Sequence, residues 1–310
     1  MSLPPKIASV CDYLNTMHEP QLFMMSSNPE GPVNARDRLH AEFFKEYTSP
    51  EAISKYTRST AGYGISHLLE HDYKTVYLEG LELLPRDIKE RGLRILEFGC
   101  GGGMNLLHLM SVLKQQGIRV EKAVGTDFSP VLIEAARREA KHCLGASEVH
   151  RIEFHTGKNE SLLNDLSNAL KTEKSSLQGA FDFVFGVNTI RYCYDAGNEL
   201  DCARDIFNLL PPGGVCVVID MNNRFPLFRS DLKNRFRRHK EEECYIPSLE
   251  EYGEPFIKTG FELVRKEHFC WVPHSAGKYL SGIMRRLSSI LDVVARSRAM
   301  RSLVVARKPS

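Results

Sequence analysis

A glycine-rich turn between two short apolar runs constrains the fold of this chain more than any other feature. Residues 94–127 read RILEFGCGGGMNLLHLMSVLKQQGIRVEKAVGTD. The first apolar run leads into Glu97, four glycines fall within the next positions, an apolar-periodic segment follows, and a second apolar run ends at Asp127. This order predicts a strand, a glycine turn, a helix, a second strand and an acid, which is the plan of one βαβ unit.

The residue types at this turn suit a ligand that carries a ribose. Glycine permits positive φ angles and lets a ligand approach the backbone without a Cβ in the way. The helix that begins at the turn offers unpaired N–H groups, and an acid that ends the next strand can accept hydrogen bonds from a ribose diol. The dinucleotide fingerprint Gly-x-Gly-x-x-Gly/Ala fails here, because its third small residue would fall on Met104 or Leu106.

What the residues do match is the spacing Glu97-x-Gly99-x-Gly101-x-Gly103. It resembles motif I of the class I S-adenosylmethionine (SAM)-dependent methyltransferases, and Asp127 matches the ribose-binding acid of that family. The resemblance implies an α/β fold, with a doubly wound, seven-stranded, mostly parallel sheet of Rossmann-like type and an N-terminal helical cap. It also implies SAM as the cofactor and S-adenosylhomocysteine as the product.

The same resemblance implies which residues hold the cofactor. They lie in the glycine turn, after the second and third strands, and at the end of the fourth: Glu97, Phe98, Gly99, Cys100, Gly101, Gly103, Asn105, Asp127, Phe128, Ser129, Asn159, Glu160, Gly186, Val187 and Asn188. Lys158 stands where the family usually carries the acid that binds the adenine amino group. Asn159 and Glu160 are the alternatives for that contact.

Further segments predict the rest of the sheet and the domain organisation. Residues 151–155, 181–186, 215–220, 261–271 and 302–306 are predicted strands. The turn LLPPGG before residue 215 resembles the family's Leu-x-Pro-Gly-Gly turn. We expect a helical lead-in and cap over residues 1–91, with helices from residue 36 onward and over 65–69 and 71–84. The SAM-binding domain covers 92–310, with a helical insertion near 274–300.

Sequence alone supplies only candidates for the reacting side of the site. The sulfonium donor is already activated, so the protein chiefly aligns the acceptor and excludes water. Tyr192 and His71 are the candidate catalytic residues, and Tyr63, Asn188, Arg191 and Tyr192 are the candidate substrate-binding residues. The favoured function is methylation of a small, partly apolar metabolite or natural product. RNA or protein methylation and a non-catalytic SAM-binding role are the alternatives.

Charge and cysteine usage limit the partners. The net charge is +2, but residues 224–240 and 278–301 are both strongly basic, and the remainder has a net charge of −9. Such a body disfavours nucleic acid. The eight cysteines form no Cys-x-x-Cys pair, so no metal site is expected. No signal peptide or membrane-spanning run is recognisable, which favours a cytoplasmic protein.

The basic segment near the C-terminus predicts an amphipathic helix over Tyr279–Val294, because its apolar residues recur at helical spacing. We expect this helix to pack on the body of the protein. The alternative is a lid over the acceptor, or an element that makes weak contact with a membrane surface.

Overall fold

The computed structural model describes Tyr47, Ile53 and residues 56–226 and 245–310. All of the described residues belong to one compact unit, residues 42–310. Most of the helical segment expected between residues 36 and 56 lies outside the described residues. So does most of the basic segment 224–240.

A seven-stranded sheet forms the centre of the unit. In chain order the strands are β1 Leu93–Phe98, β2 Val120–Asp127, β3 Ile152–Thr156, β4 Phe183–Val187, β5 Val215–Met221, β6 Glu262–Phe269 and β7 Arg301–Arg307. Their spatial order is β3-β2-β1-β4-β5-β7-β6. The first five pair in parallel, and β7 runs antiparallel between β5 and β6. The expected fold, a doubly wound and mostly parallel seven-stranded sheet, is confirmed.

Helices cover both faces of the sheet. They are α1 Tyr63–Leu68, α2 Lys74–Glu82, α3 Arg86–Arg91, α4 Met104–Gln115, α5 Pro130–Cys143, α6 Ala146–Val149, α7 Leu162–Leu170, α8 Arg191–Ala196, α9 Glu199–Leu209, α10 Leu249–Lys258 and α11 Lys278–Ala295. A π-helical turn, Leu69–Tyr73, joins α1 to α2 without a break. The two separate helices predicted over 65–69 and 71–84 are therefore continuous.

The N-terminal helices share one hydrophobic core with the sheet. The Tyr77 side chain of α2 is fully buried, and its ring lies 5.0 Å from that of Phe185 in β4. A Cβ on Gly80 would lie 2.9 Å from the side chain of Val217 in β5, so α2 approaches the sheet closely at this glycine. The core thus continues across the predicted boundary at residue 91.

The C-terminal helix α11 does not pack as expected. Seven of its apolar side chains are exposed to solvent: Tyr279, Leu280, Ile283, Leu287, Ile290, Val293 and Val294. The only fully buried side chain of the helix is that of Ser281. The prediction that its apolar face packs on the body is therefore wrong for most of that face, because the helix meets the protein through Ser281 and Met284 instead.

In the described ranges, none of the helices has the length and apolar character needed to cross a bilayer.

Candidate functional site

The glycine turn between β1 and α4 adopts a backbone that requires glycine. The φ angles of Gly99, Gly101 and Gly103 are 62°, 53° and 77°, which L side chains rarely adopt. There is also no room for a larger residue, since a Cβ on Gly103 would lie 2.9 Å from the Phe154 ring of β3. The turn is therefore built by local backbone conformation and by close packing, as the motif spacing predicts.

Glu97, the last residue but one of β1, fixes the start of α4. Its carboxylate accepts hydrogen bonds from the Leu106 amide at 3.0 Å and from the Asn105 side chain at 3.2 Å. Burial raises the pKa of this fully buried carboxyl well above its usual value, and the two hydrogen bonds act in the opposite direction. The first turn of α4 is thereby held against the glycine turn.

Asp127 ends β2 directly beside the glycine turn. One carboxylate oxygen accepts the Gly101 N–H and the other accepts the Ser129 N–H, both at 2.9 Å. Burial raises the pKa of Asp127 to about 6, although the two N–H groups favour the ionised form. A carboxylate has about four lone-pair positions, so about two remain for a ligand diol. The ionised side chain is thus already aligned by the backbone.

Aromatic side chains cover the glycine turn. The Tyr47 ring stacks on Tyr56 with centroids 5.4 Å apart and meets Phe128 and Tyr192 edge-on at 5.7 and 6.1 Å. The Ser129 hydroxyl donates to the Tyr47 carbonyl at 2.8 Å. Burial raises the pKa of the Tyr47 phenol far above its usual range. We refer to Tyr47, Tyr56, Phe128 and Tyr192 below as the aromatic cover.

The backbone of this cover lies against the turn itself. A Cβ on Gly102 would lie 2.5 Å from the Tyr56 carbonyl oxygen. A Cβ on Gly101 would lie 3.6 Å from the Cβ of Tyr56. Residues that precede α1 therefore close the outer side of the turn.

A buried ion pair supports Tyr192. The Arg191 guanidinium donates to the Asp220 carboxylate at 2.9 Å, and Asp220 also accepts the amides of Arg191 and Met221. Arg191 donates a second hydrogen bond to the Tyr192 hydroxyl at 2.5 Å, and that hydroxyl also contacts the hydroxyl of Tyr47. Arg191 thus connects the ends of β4 and β5 and orients Tyr192, and its contact with substrate stays a prediction.

Two residues that sequence reasoning missed lie beside the end of β4. Arg301, the first residue of β7, donates to the Asn188 side-chain oxygen at 2.5 Å, and Asn188 has a positive φ of 55°. Thr189 lies directly against Gly99 and accepts a 2.7 Å hydrogen bond from the Asn159 side chain. The sequence does carry one signal for Arg301, because a charged residue begins a strand whose central residues are apolar.

Several of the residues that were predicted to bind the cofactor lie in the hydrophobic core or are exposed to solvent. A Cβ on Gly186 would collide with the Phe98 ring, and both residues lie in the core. The Lys158 amide donates to Asp165 at 2.8 Å, and the side chains of Lys158 and Glu160 are exposed. Of the two alternatives for the adenine contact, Asn159 is therefore the one directed toward β4.

Tyr63 and His71 form a separate group. The ring of His67 lies 6.0 Å from that of Tyr63 and 4.4 Å from that of His71. Desolvation, followed by the positive charge of Arg285 in α11, lowers the pKa of both His67 and His71. The structure thus brings Tyr192 to the end of β4 and places His71 beside α11.

No cluster of three or more His, Cys, Asp or Glu side chains that could hold a metal ion occurs within residues 56–226 and 245–310 or at the two isolated described positions.

A family model described as "Methyltransferase domain" matches residues 69–266. Among solved structures, an S-adenosylmethionine-dependent methyltransferase from Mesorhizobium loti is 18% identical, with a TM-score of 0.49, and the match covers 75% of this chain and 97% of that one. A SAM-dependent methyltransferase from Aquifex aeolicus is 12% identical, with a TM-score of 0.46 and coverages of 86% and 97%.

The [4+2]-cyclase SpnF is 18% identical, with a TM-score of 0.45 and coverages of 70% and 75%. No curated protein matches the sequence.

Proposed function

The chain belongs to the class I SAM-dependent methyltransferase family, and from that premise we propose that it methylates a small molecule, a metabolite or natural product with a partly apolar body. The enzyme uses SAM as its methyl donor. The proposal concerns the acceptor and the residues that hold donor and acceptor.

The residues at the glycine turn fit the cofactor. Asp127 has both oxygens aligned by backbone N–H groups and keeps lone pairs for a ribose diol. The positive φ angles of the turn leave backbone without Cβ atoms beside the start of α4. In this proposal, Asp127 binds the ribose, residues 97–103 face the methionine portion, and Phe128 and Asn159 flank the adenine.

The aromatic cover is the observation that carries the proposal of a small acceptor. Tyr47 contacts three other rings, and Tyr56 lies on the outer side of the glycine turn. An acceptor that reaches the donor must fit beneath or beside these rings. A compact molecule with an apolar body meets that condition more easily than a folded macromolecule does.

The chain's own groups contribute alignment and exclusion of water. SAM supplies a methyl group already activated by the adjacent sulfonium charge. Tyr192, held by Arg191 and thereby by Asp220, presents its hydroxyl at the end of β4. We assign to this hydroxyl a hydrogen bond to the acceptor, which orients the nucleophilic atom for in-line transfer. The aromatic cover keeps bulk water from the reacting atoms.

Fractionation of an extract from the cells that make the protein tests the size of the acceptor. The extract is separated into dialysable and retained material, and S-adenosylhomocysteine formation is measured with each. We expect turnover with the dialysable fraction that survives ribonuclease and protease treatment. Activity confined to retained RNA or protein would contradict the proposal. The Gly101→Val variant is the matched control for background hydrolysis of SAM.

Replacement of Tyr192 by Phe tests the assigned hydrogen bond. We expect kcat on the dialysable acceptor to fall by about tenfold or more, since one oriented hydrogen bond is lost. The affinity for S-adenosylhomocysteine should stay unchanged. Undiminished turnover in the variant would remove Tyr192 from the site.

A further inference from the structure

Arg301 carries a buried charge that the protein does not neutralise. Arg301 lies at the start of β7, and only 5% of the residue is exposed to solvent. Its hydrogen bonds go to two neutral groups, the Asn188 side chain and the Tyr73 phenol, and its Nε–H has no hydrogen-bond partner. Among the described residues, Arg301 forms no ion pair. Burying a cation without a counter-charge is unfavourable, so this arrangement needs an explanation.

Neighbouring charges do not supply the missing partner. Asp220 is paired with Arg191 and also accepts hydrogen bonds from two backbone amides. Burial raises the pKa of the Asp72 carboxyl to about 6, although the positive charge of Arg285 in α11 acts against the rise, so Asp72 is mostly ionised at pH 7. Burial also raises the pKa of the Tyr73 phenol to about 12, although the positive charge of Arg301 acts against the rise. Asp220 is thus paired with Arg191, Tyr73 is neutral near pH 7, and Asp72 forms no hydrogen bond or ion pair with Arg301 among the described residues.

The position of Arg301 is on the acceptor side of the site. Its Cα pairs with that of Met221, the last residue of β5, and its guanidinium bonds to Asn188, which follows β4. Ligands of open α/β sheets bind at these carboxyl ends of the parallel strands. Asn188 also accepts, through its carbonyl, a 2.8 Å hydrogen bond from Arg191, the residue that orients Tyr192.

From these contacts we infer that Arg301 binds a carboxylate on the methyl acceptor. The inference rests on the proposed function and specifies the acceptor as a small organic acid. One uncompensated positive charge matches one negative charge, and a carboxylate can occupy the unpaired Nε–H edge of the guanidinium. Asn188, in its left-handed conformation, holds the opposite edge and sets the orientation of the fork.

Benzoate and benzamide are the probes, since they differ in charge but hardly in shape. Binding of each to the full chain is measured by ligand-observed NMR, with and without S-adenosylhomocysteine. We expect benzoate to bind at least about tenfold more tightly than benzamide. Arg301→Met should abolish the preference, and Arg301→Lys should keep part of it. The control Arg307→Met, at the exposed end of the same strand, should keep all of it.

The melting temperature of each ligand-free variant separates this role from a structural one. Removal of an unpaired buried charge should leave the melting temperature of Arg301→Met equal to or above that of the wild type. Equal binding of the two probes to the wild type, an unchanged preference in Arg301→Met, or a large fall in its melting temperature would overturn the inference. Binding of S-adenosylhomocysteine without a preference for benzoate would contradict this inference and leave the proposed function intact.

A second, independent observation is the exposed face of α11. At about 100° per residue, its seven exposed apolar side chains span roughly 140° of the helix circumference. Tyr279 is 90% exposed and Val293 is 86% exposed. On the opposite side, the buried Ser281 faces the protein. A continuous apolar face of this size on a described surface indicates contact with another body.

The charges beside this apolar face indicate what kind of partner it contacts. Arg286 lies within the apolar arc, between Val293 and Tyr279 near one edge, and Lys278 and Arg285 lie beyond that edge. Within the described ranges, none of these three cations forms an ion pair. The acid on that side, Asp292, accepts a 2.7 Å hydrogen bond from the Trp271 indole. An apolar arc bordered by free cations is the pattern of a helix that lies on an anionic lipid surface.

The geometry points to α11 as a docking surface for anionic membrane lipids. Co-sedimentation of the full chain with phosphatidylcholine vesicles, with and without phosphatidylglycerol, tests it. We expect binding only to the anionic vesicles, and weaker binding as salt is added. Arg286→Glu should weaken binding, and the double change Ile283→Ser with Ile290→Ser should abolish it. The control Ile257→Ser, an exposed residue of α10, should bind as the wild type does.

Three results would overturn the assignment. The first is absence of binding by the wild type to anionic vesicles. The second is a wild-type dimer in solution that the Ile283→Ser, Ile290→Ser variant converts to monomer, since the face would then be a self-interface. The third is a large fall in melting temperature for that variant, which would mean that these half-exposed side chains pack internally.

Discussion

Replacement of Asp127 by Asn changes one atom at the point where the ribose is proposed to bind. Each carboxylate oxygen accepts one backbone N–H at 2.9 Å, from Gly101 or Ser129. In the amide, one end becomes an NH₂ group, which faces an N–H donor and can accept nothing from a diol. At least one charged hydrogen bond to the ligand is lost, worth about 1.5–3 kcal/mol. The affinity for S-adenosylhomocysteine should therefore fall by about 10- to 150-fold.

Calorimetric titration with S-adenosylhomocysteine over a range of pH measures this effect. Below its pKa of about 6, Asp127 is protonated and accepts fewer hydrogen bonds, so wild-type affinity should fall as the pH is lowered through that value. The Asn variant should lack this dependence.

The control for this titration is Asp182→Asn, which alters a buried carboxylate that bonds Arg91 and Arg94. It should keep both the affinity and the pH dependence. Unchanged affinity in Asp127→Asn, or the same pH profile in both variants, would refute the role of Asp127.

Two further predictions concern the turn and the ion pair. Gly101→Val should abolish binding of S-adenosylhomocysteine, because a branched side chain would occupy the ligand's space at the turn. The control Gly117→Ala introduces similar backbone strain, at φ of 69°, but lies beyond the far end of α4 and should bind normally. Equal calorimetric affinities would contradict this. Arg191→Met should lower the free energy of unfolding by about 3–5 kcal/mol, because it leaves the buried Asp220 carboxylate without its ion-pair partner. The double variant Arg191→Met, Asp220→Leu should recover part of this loss in urea titration. No recovery would disprove the energetic coupling of the two side chains.

The βαβ unit and the donor side of the site could be predicted from sequence because their determinants are local. Positive φ at Gly99, Gly101 and Gly103 is a property of residue type in a short turn. Asp127 follows from the end of an apolar run. The sheet order then follows from the family that these residues resemble, and the structure has that order.

The acceptor side depends on contacts between distant parts of the chain. Arg301 and Asn188 are 113 residues apart, and no local pattern marks one as the partner of the other. Arg191 shows the same limit, since its pairing with Asp220 arises only when β4 and β5 lie side by side. Sequence position near the end of a strand identified these residues as candidates but could not assign their partners.

Helix α11 shows a different limit. Its apolar period correctly predicted an amphipathic helix, Lys278–Ala295. Periodicity states that apolar residues share one face, but not whether that face meets the protein, a lipid surface or another chain. Here Ser281 marks the side that meets the protein.

A crystal structure of the complex with S-adenosylhomocysteine tests the central claim most directly. The account predicts both ribose hydroxyls within hydrogen-bonding distance of the Asp127 carboxylate, about 2.6–3.0 Å. It also predicts the sulfur on the side of Tyr192 and Asn188, beneath the aromatic cover. A ribose bound away from Asp127, or a sulfur directed away from the end of β4, would contradict it.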